Sequence, residues 1–402
     1  MLVLRGAEYV VALVSMPYLV RVLGPERFGA LIFMQSVIQY YNIIIDYGFN
    51  LTASRDIAKT KNPDSISVIF SSVMCAKIIL FIICCIVTSF IIAINLRFSI
   101  IPVDYKLFCA VFLNVIGTMI FPIWFFQGIQ MMGYIAKCKL ISIVVTTTSI
   151  FLFVRGPEDY VLAGFLQSIT MLVTGLLSWA IILIQYRMIL RKTNIAEIKS
   201  RFKEGWQIFV STLFVNIYTN SNLVLLRFFT TDYIVGIFGG ASKLVDAIKG
   251  LAWPLCQAIY PFICKKYEEN RIQFFIFTRK LLEVSTCLGL IIMLNMEFLG
   301  QWIVNFLYGP DYQNTVSILH ILSVIPAFVF YSIFAGAVLL AANAQNEYSK
   351  ILMIGSGLDI VMALIMIPLF GANGLAFTMC IVEAFVALKM FIEIRAKKRL
   401  RT

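Results

Sequence analysis

Four polar side chains recur at helical spacing inside a long apolar stretch near the start of this 402-residue chain. Gln35, Gln39, Asn42 and Asp46 stand at i, i+4, i+7 and i+11, so a helix confines them to an arc of about 60°. A polar group in hydrocarbon costs free energy unless it is partnered or hydrated. The stripe therefore either holds helices together or lines a wet cavity, and its four members favour the cavity.

A second apolar stretch repeats this pattern. Thr212, Asn216, Asn220 and Arg227 fall within about 80° of arc on a helix. Each stripe thus ends on an ionisable residue. The sequence predicts two helices that each present one polar face to water or to a polar ligand.

Three charges lie close together in the segment GASKLVDAIKG. Lys243, Asp246 and Lys249 share an arc of about 120° on a helix. Asp246 can neutralise one lysine, which leaves one positive charge over. An uncompensated cation inside a membrane is costly, so we expect an anionic ligand, or another carboxylate such as Asp46, beside it. A purely structural ion pair is the alternative.

Two further carboxylates, Asp359 and Glu383, stand in nearly pure apolar sequence. Carboxylates in such surroundings often serve as proton or cation sites, because the charged form is costly away from water. Each is therefore a candidate for ion coupling, with a structural role as the alternative. Lys77 lies nearer the end of its apolar run, and we expect its ammonium group to reach the bilayer surface.

Membrane-spanning helices must position these residues. The chain is 60% apolar and only 13% charged, with a mean hydropathy of +0.90. Long continuous apolar runs exclude a barrel, whose short strands alternate in polarity. We predict an all-α integral membrane protein, and the twelve expected spans lie near 2–21, 28–50, 68–94, 107–127, 137–154, 160–184, 207–227, 233–261, 278–298, 315–341, 350–369 and 373–393.

The net charge of +12 reflects loop placement rather than nucleic-acid binding. With both termini in the cytoplasm, 24 of the 33 lysines and arginines lie on the cytoplasmic side and 6 lie in the opposite loops. The basic segment 187–204 is expected to link an N-terminal six-helix lobe (1–186) to a C-terminal six-helix lobe with a basic tail (205–402). Phe28-Gly29 aligns with Val235-Gly236 at an offset of 207 residues, which suggests an internal repeat.

No motif indicates catalysis or a bound metal. The sequence has no GxxxxGK[ST] loop, its nine cysteines form no CxxC pair, and His320 has no accompanying ligands. We therefore expect no enzyme activity, no metal and no cofactor, and we expect His320 to hydrogen-bond between helices. An intramembrane enzyme using Asp46 and Glu383 as acid and base would lack a nucleophile.

Five stretches spread along the chain together resemble the bacterial O-antigen flippases, in the polysaccharide-transporter branch of the multidrug/oligosaccharidyl-lipid/polysaccharide exporter superfamily. The stretches are MPYLVRVLGPERFG (16–29), IIDYGFNLTASRDIAK (44–59), FPIWFFQGIQMMGYI (121–135), IYTNSNLVLL with GASKL (217–226 and 240–244) and LYGPDYQNTVSIL (307–319).

The resemblance implies two six-helix lobes around a central cavity that opens alternately to either face. The cargo it implies is an oligosaccharide on undecaprenyl pyrophosphate, moved from the cytoplasmic to the periplasmic leaflet of the bacterial inner membrane for lipopolysaccharide O-antigen synthesis. Membrane lipids are further partners, and the O-antigen polymerase and the chain-length regulator are candidate partners.

The residues singled out above suit that cargo. Cationic side chains would bind the pyrophosphate, amides would bind the sugars, and carboxylates would bind a coupling H⁺ or Na⁺ in an antiporter cycle. The expected anion-binding residues are Lys243, Lys249, Arg227 and Arg55. The expected sugar-contacting residues are Gln35, Gln39, Asn42, Asn216 and Asn220. The ion-coupling candidates are Asp46, Asp246, Asp359 and Glu383.

Other functions stay open at this point. A multidrug and toxin extrusion exporter shares the two-lobe plan, although it is expected to line its cavity with carboxylates and aromatics. A flippase for another lipid-linked cargo, such as a capsule unit or lipid II, would use the same mechanism. A non-transporting scaffold would use the basic segments as docking surfaces. The short first span is compatible with a natural start upstream of Met1.

Overall fold

A computed structural model describes residues 2–60, 62–98, 104–186 and 191–399, without the side chains of 2–13, 218–219 and 397–399. Within these ranges the regular structure is helical, which confirms the all-α prediction. The α-helices are α1 (Leu2–Asp46), α2 (Phe49–Lys59), α3 (Pro63–Phe98), α4 (Tyr105–Ile120), α5 (Ile123–Gly128), α6 (Met132–Phe153), α7 (Tyr160–Gln185), α8 (Ile195–Phe229), α9 (Asp232–Glu269), α10 (Arg271–Leu307), α11 (Gln313–Leu322), α12 (Ile325–Ala341) and α13 (Gln345–Arg399).

Two of these helices contain a break at a glycine. Gly24 divides α1 at φ +70°, and Gly371 divides α13 at φ +57°. Both angles lie in the left-handed region, which a residue with a Cβ atom adopts only at a cost. Each glycine therefore ends one helix and lets the next begin at once, so that α1 and α13 each supply two of the predicted spans.

Seven helical stretches in the described part of the chain are long and apolar enough to cross a membrane, and nine if two bent pairs each count as one. Two of the seven, Val14–Lys59 and Gln345–Ala396, have 46 and 52 residues and contain the breaks at Gly24 and Gly371. Because about 20 residues suffice for one crossing, each is long enough for two. The described helices lie over all twelve predicted spans. Helix α9, which covers the predicted span 233–261, is not among the stretches apolar enough to cross a membrane.

The chain folds as two compact units. The first comprises Met1–Leu23 and Met34–Asn216, and the second comprises Gly24–Phe33 and Ile217–Thr402. Helix α8 begins at Ile195, so most of the basic segment 187–204 is helical. The lobe boundaries expected from the sequence stay a prediction.

Aromatic side chains form part of the core of the first unit. The Phe70 ring lies 5.2 Å from Trp124, 5.6 Å from Phe125 and 5.4 Å from Trp179, centroid to centroid. These rings join α3, α5 and α7. The core of the second unit mixes aromatic and aliphatic side chains, and in it Phe334 and Val338 of α12 pack with Val382 and Val386 of α13.

Two glycines bring helices of the second unit into backbone contact. A Cβ atom on Gly29 would lie 1.8 Å from the carbonyl oxygen of Asp232, and one on Gly236 would lie 1.8 Å from that of Pro25. Each glycine thus faces the carbonyl four residues before its counterpart. The two contacts are therefore equivalent, and the glycines that make them are 207 residues apart, the same offset as in the sequence alignment. This equivalence supports the internal repeat. Small residues permit such close crossings in membranes.

This crossing predicts a sharp effect of adding one methyl group. Gly29→Ala and Gly236→Ala should each destabilise the folded protein by about 1–3 kcal/mol, because the methyl group overlaps a carbonyl oxygen that belongs to a helix backbone. Thermal unfolding of the purified protein in detergent measures the loss. Gly357→Ala is the matched control, since a Cβ atom at Gly357 meets nothing within 4 Å. Equal stability of all three variants would contradict the close crossing.

Candidate functional site

A polar cavity of about 180 Å³ lies in the first unit beside α1. Gln35, Gln39 and Asn42 of the first polar stripe line it. Gln35 donates a hydrogen bond from Nε2 to Oε1 of Gln167 on α7. Asn42 donates from Nδ2 to Oδ1 of Asn114 on α4 at 2.9 Å. The stripe therefore both lines a cavity and joins α1 to two other helices.

The wall of this cavity is polar but carries no charge. Its amide side chains are Gln35, Gln39, Asn42, Asn114 and Gln167. The Oδ1 atom of Asn42 is buried and has no hydrogen-bond partner among the described residues. An amide supplies both donors and acceptors, so this wall can bind a ligand rich in hydroxyl groups and gives no electrostatic preference for an ion.

Asp46, the ionisable end of the same stripe, belongs to an ion pair that is buried on its lysine side, while the Asp46 side chain is 35% exposed. Its Oδ1 lies 2.9 Å from Nζ of Lys77, whose side chain is fully buried at 0% exposure. Lys77 also donates to the carbonyl oxygen of Thr118 at 3.1 Å. The helical donor for that carbonyl would be residue 122, which is a proline and has no N–H. The expectation that Lys77 reaches the bilayer surface is therefore wrong, because Lys77 satisfies two groups inside the unit.

Arg55 lies in a charge network on the first unit. Its Nε is 3.3 Å from Asp56 Oδ1 and its Nη2 is 3.9 Å from Glu204 Oε2. Arg201 also pairs with both carboxylates. The charges of two arginines and two carboxylates cancel in this network. Arg55 is 55% exposed and can be reached by an anion, but its positive charge is already partly neutralised.

In the second unit, an ion pair joins two of the predicted site residues. Lys249 Nζ on α9 lies 3.4 Å from Glu383 Oε1 on α13. The expected pairing of a lysine with Asp246 is not observed: Asp246 is exposed and makes no ion pair within the described ranges. Lys249 extends to another helix instead of along its own. Glu383 is therefore less isolated than its apolar sequence context indicated.

Asp359 lies within electrostatic range of this ion pair. Its side chain is 1% exposed and lies near Lys249, Glu383 and Asn222. The Oδ2 atom of Asp359 has no hydrogen-bond partner in the described part of the chain. A buried carboxylate oxygen without a partner is costly, and a proton or a small cation would satisfy it.

The two other predicted anion-binding residues of the second unit, Lys243 and Arg227, differ in how they are partnered. Lys243 is half-buried, and no described carboxylate lies within ion-pair distance of it. Arg227 donates from Nε and Nη2 to the two carboxylate oxygens of Asp232, and from Nη1 to the Thr230 carbonyl oxygen at 3.1 Å. Arg227 thus braces the turn between α8 and α9, and Lys243 keeps an uncompensated charge.

The second polar stripe lies on α8 where the two compact units meet in sequence. Asn216 donates from Nδ2 to the carbonyl oxygen of Thr212 at 2.8 Å, within its own helix. Asn216 ends the first unit, and Asn220 belongs to the second. His320 Nδ1 lies 3.1 Å from Glu297 Oε1 on the neighbouring helix α10, which is ion-pair distance, but it makes no hydrogen bond among the described residues. The expectation of an interhelical hydrogen bond from His320 therefore stays a prediction.

Sequence reasoning missed several members of these sites. Asn222 lies two residues beyond Asn220, off the arc of the second stripe. Asn114 and Gln167 are single amides in apolar sequence, so they form no stripe and showed no periodicity. The usable signal was their isolation, since a lone amide in a span needs a partner. Lys77 carried the same signal and was misassigned to the bilayer surface.

Comparison with known proteins places the chain among polysaccharide transporters. The family described as "Polysaccharide biosynthesis protein" matches residues 1–266. A relative from Escherichia coli (strain K12), named "Putative O-antigen transporter", is 31% identical over 99% of this chain and 96% of its own length. The chain belongs to the polysaccharide biosynthesis protein family.

Two further relatives agree with this membership. A protein of Shigella dysenteriae with the same name is 26% identical over 96% of both chains. A Staphylococcus aureus protein named "Capsular polysaccharide biosynthesis protein CapF" is 29% identical over 48% of this chain. The two relatives aligned over nearly their whole length are named as transporters, which confirms the prediction of a transporter rather than an enzyme.

Solved transporter structures share the fold at low sequence identity. A lipid II flippase, MurJ, in an inward closed conformation superposes with a TM-score of 0.78 over 98% of this chain and 88% of its own, at 15% identity. An inward-facing MATE transporter of the MOP superfamily gives 0.72 over 98% and 96%, also at 15% identity. The fold is therefore that of a multi-pass helical transporter, and the predicted fold class is confirmed.

The buried ion pair of the first unit predicts a large penalty for removing its acid. Asp46→Asn should leave the Lys77 ammonium buried and uncompensated, which destabilises the protein by up to about 3 kcal/mol. Thermal unfolding in detergent measures this loss. The double variant Lys77→Met with Asp46→Asn should recover part of it, because no buried charge remains.

Asp64→Asn is the matched control for this experiment. It breaks the exposed pair of Asp64 with Arg191, whose side chains are 67% and 45% exposed, and should cost less than about 1 kcal/mol. Equal losses from the buried and the exposed pair, or a double variant less stable than Asp46→Asn, would contradict the role assigned to Lys77.

Proposed function

We propose that this protein is a flippase for lipid-linked oligosaccharides. It moves undecaprenyl-pyrophosphate-linked O-antigen repeat units from the cytoplasmic to the periplasmic leaflet of the bacterial inner membrane by alternating access. An ion gradient drives the cycle. The protein thereby supplies repeat units for the O-antigen of lipopolysaccharide.

One observation carries the proposal: the 31% identity to a relative named as an O-antigen transporter extends over 99% of this chain. A match of this extent includes both compact units rather than a single shared motif. The helical transporter fold shared with a lipid II flippase supports a lipid-linked cargo.

The uncharged cavity of the first unit suits the sugar part of such a cargo. Its amides, which include Gln35, Gln39 and Asn42, offer donors and acceptors to hydroxyl groups. Hydrogen bonds from amides are adaptable, so one wall can accept repeat units of differing composition. Asn216 and Asn220 on α8 are further candidates for sugar contacts.

The cations of the second unit suit the pyrophosphate. Lys243 is the leading anion-binding residue, because its charge has no carboxylate partner among the described residues. Lys249 and Arg227 already hold carboxylates, and Arg55 lies in a balanced network. These three residues would bind phosphate only by exchanging a partner during the transport cycle.

Asp359 is the leading residue for ion coupling, and Glu383 is the second. Asp359 is buried beside the Lys249–Glu383 pair and has an unsatisfied oxygen atom. Binding of H⁺ or Na⁺ there would alter the charge balance of the cluster and so favour one conformation of the second unit. Asp46 holds Lys77 and Asp246 is exposed, so both suit this role less.

Another lipid-linked cargo is the second candidate. The partial match to a capsular polysaccharide biosynthesis protein favours it over drug export. The mechanism and the anion site would be the same, and the glycan would differ.

Lipid-linked intermediates in a deletion strain test the proposal. Loss of the gene should accumulate undecaprenyl-pyrophosphate repeat units on the cytoplasmic side and remove surface O-antigen, and the restored gene should reverse both. Lys243→Ala should restore surface polymer at least about tenfold less efficiently than wild type, because a charged contact to phosphate is lost.

Lys280→Ala is the control for Lys243→Ala, since Lys280 is an exposed lysine in the first third of α10. Membrane abundance of both variants is measured by immunoblot. Normal surface O-antigen and no accumulated intermediate in the deletion strain would contradict the flippase assignment. Wild-type polymer from Lys243→Ala at normal abundance would contradict the anion site alone.

The coupling assignment predicts a separate defect. In proteoliposomes with an imposed proton or sodium gradient, Asp359→Asn should abolish the acceleration of transport by the gradient, because the neutral amide cannot exchange an ion. Glu383→Gln should weaken this acceleration. Downhill exchange without a gradient should persist in both variants and serves as the internal control. Undiminished gradient-driven transport by Asp359→Asn would exclude Asp359 as the coupling residue.

A further inference from the structure

A second and larger cavity lies within the second unit, apart from the residues assigned to transport. It has a volume of about 590 Å³ and is bounded by α10, α12 and α13. This volume falls in the range of small-ligand sites in proteins. Arg279, Glu283 and Arg395 at its rim are exposed, whereas Thr278 and Leu282 are buried. The cavity therefore extends from the protein surface inward.

The rim of the cavity carries a net positive charge. Arg279 Nε lies 2.7 Å from Glu283 Oε1, so the charges of these two side chains cancel. The Arg395 guanidinium lies 4.1 Å from the centroid of the Phe391 ring, and no described carboxylate is within ion-pair distance of it. One positive charge is thus left over. Guanidinium groups are well suited to bind phosphate oxygens through two parallel hydrogen bonds.

Two hydroxyl groups at this cavity are buried without a partner. Thr278 lines the cavity, is 2% exposed, and its Oγ1 atom has no hydrogen-bond partner among the described residues. Tyr331 lines the cavity as well, and its Oη atom is buried and has no hydrogen-bond partner among the described residues. A buried hydroxyl without a partner is costly. Both groups could donate to the oxygen atoms of a ligand.

The remaining walls are apolar and continue onto a lipid-facing surface. Phe275, Leu282, Phe391 and Ile394 line the cavity. Ile276 and Val284, the neighbours of lining residues on α10, are 56% and 58% exposed, as expected for side chains that face lipid. A ligand of this cavity would therefore meet charge at one end and hydrocarbon at the other.

We propose that this cavity binds an anionic phospholipid of the surrounding membrane. Its phosphate group lies between Arg279 and Arg395, and an acyl chain lies along the apolar wall. One net positive charge matches the single negative charge of phosphatidylglycerol better than the higher charge of a pyrophosphate. The arginines lie near the ends of their helices in segments rich in lysine and arginine, which predicts the cytoplasmic leaflet.

Binding to the full-length purified protein tests the proposal. Native mass spectrometry would follow a titration with phosphatidylglycerol or with phosphatidylcholine of the same acyl chains. Phosphatidylglycerol should bind about tenfold more tightly than phosphatidylcholine. Arg279→Gln with Arg395→Gln should remove this preference, and Thr278→Val should weaken phosphatidylglycerol binding by a smaller factor.

The double variant Lys280→Gln with Lys389→Gln is the matched control. It removes the same charge from the same two helices, and Lys389 also stacks on an aromatic ring, 5.7 Å from the Phe385 centroid, but neither lysine lines the cavity. This control should retain the preference for phosphatidylglycerol.

Equal losses in both double variants would overturn the proposal, because they would indicate binding to surface charge in general. Equal binding of the two phospholipids to the wild type would overturn it as well. Tighter binding of undecaprenyl phosphate than of phosphatidylglycerol, abolished by Arg279→Gln with Arg395→Gln, would assign the cavity to a cargo lipid instead. Retained phosphatidylglycerol preference in the control alone would establish the site, whatever the transported cargo.

Discussion

The organisation of this protein depends on one constraint: a polar group in a membrane interior must have a partner. The break between α4 and α5 shows how the fold meets it. Pro122 leaves the Thr118 carbonyl without a helical donor, and Lys77 of α3 supplies one at 3.1 Å. Trp179 of α7 supplies another to the Ile120 carbonyl at 2.8 Å. The same lysine neutralises Asp46 at the end of α1. This helix interruption is therefore held by side chains of neighbouring helices, which makes irregular backbone tolerable inside a span.

Close backbone contact is the second device that holds the helices. Gly29 and Gly236 contact each other's helices reciprocally, at an offset of 207 residues that matches the sequence alignment of the two segments. Such symmetry is expected when two duplicated elements meet, because each copy presents the same surface to the other. A glycine here serves packing rather than flexibility, in contrast to Gly24 and Gly371, whose positive φ angles separate consecutive helices. The residue type alone does not distinguish these two roles of glycine. The packing role is visible in the structure, where the contact made by Gly29 is repeated by Gly236.

The helices could be predicted from the sequence, and the partners could not. Apolar runs of span length and loop charge report local properties, so helices lie where all twelve spans were predicted. The ends moved, since α8, for example, begins at Ile195 rather than near 207. The breaks between α4 and α5 and between α11 and α12, which fall inside predicted spans, were not predicted. The polar stripe of Gln35, Gln39 and Asn42 was visible because its members share one helix face. Its partners Asn114 and Gln167 come from other helices as single residues without a period. The pairing of Lys249 with Glu383 spans 134 residues, and helix geometry favoured the nearer Asp246. Pairing between helices depends on packing, which a single sequence does not encode in any local pattern.

The chemistry of the two compact units is divided in a way that fits an amphiphilic, charged cargo. The cavity of the first unit is neutral and rich in amides, so it can bind hydroxyl groups without discriminating by charge. The second unit carries the cluster of Lys249, Glu383 and Asp359, and it carries Lys243, which has no carboxylate partner among the described residues. An ion that binds to this cluster acts within the same unit as the proposed pyrophosphate-binding lysine. The charged headgroup is the part of the cargo that costs the most free energy to move through hydrocarbon. Energy from an ion gradient would thus be applied to this part. The sugars would need only replaceable hydrogen bonds, which explains why a neutral cavity suffices for them.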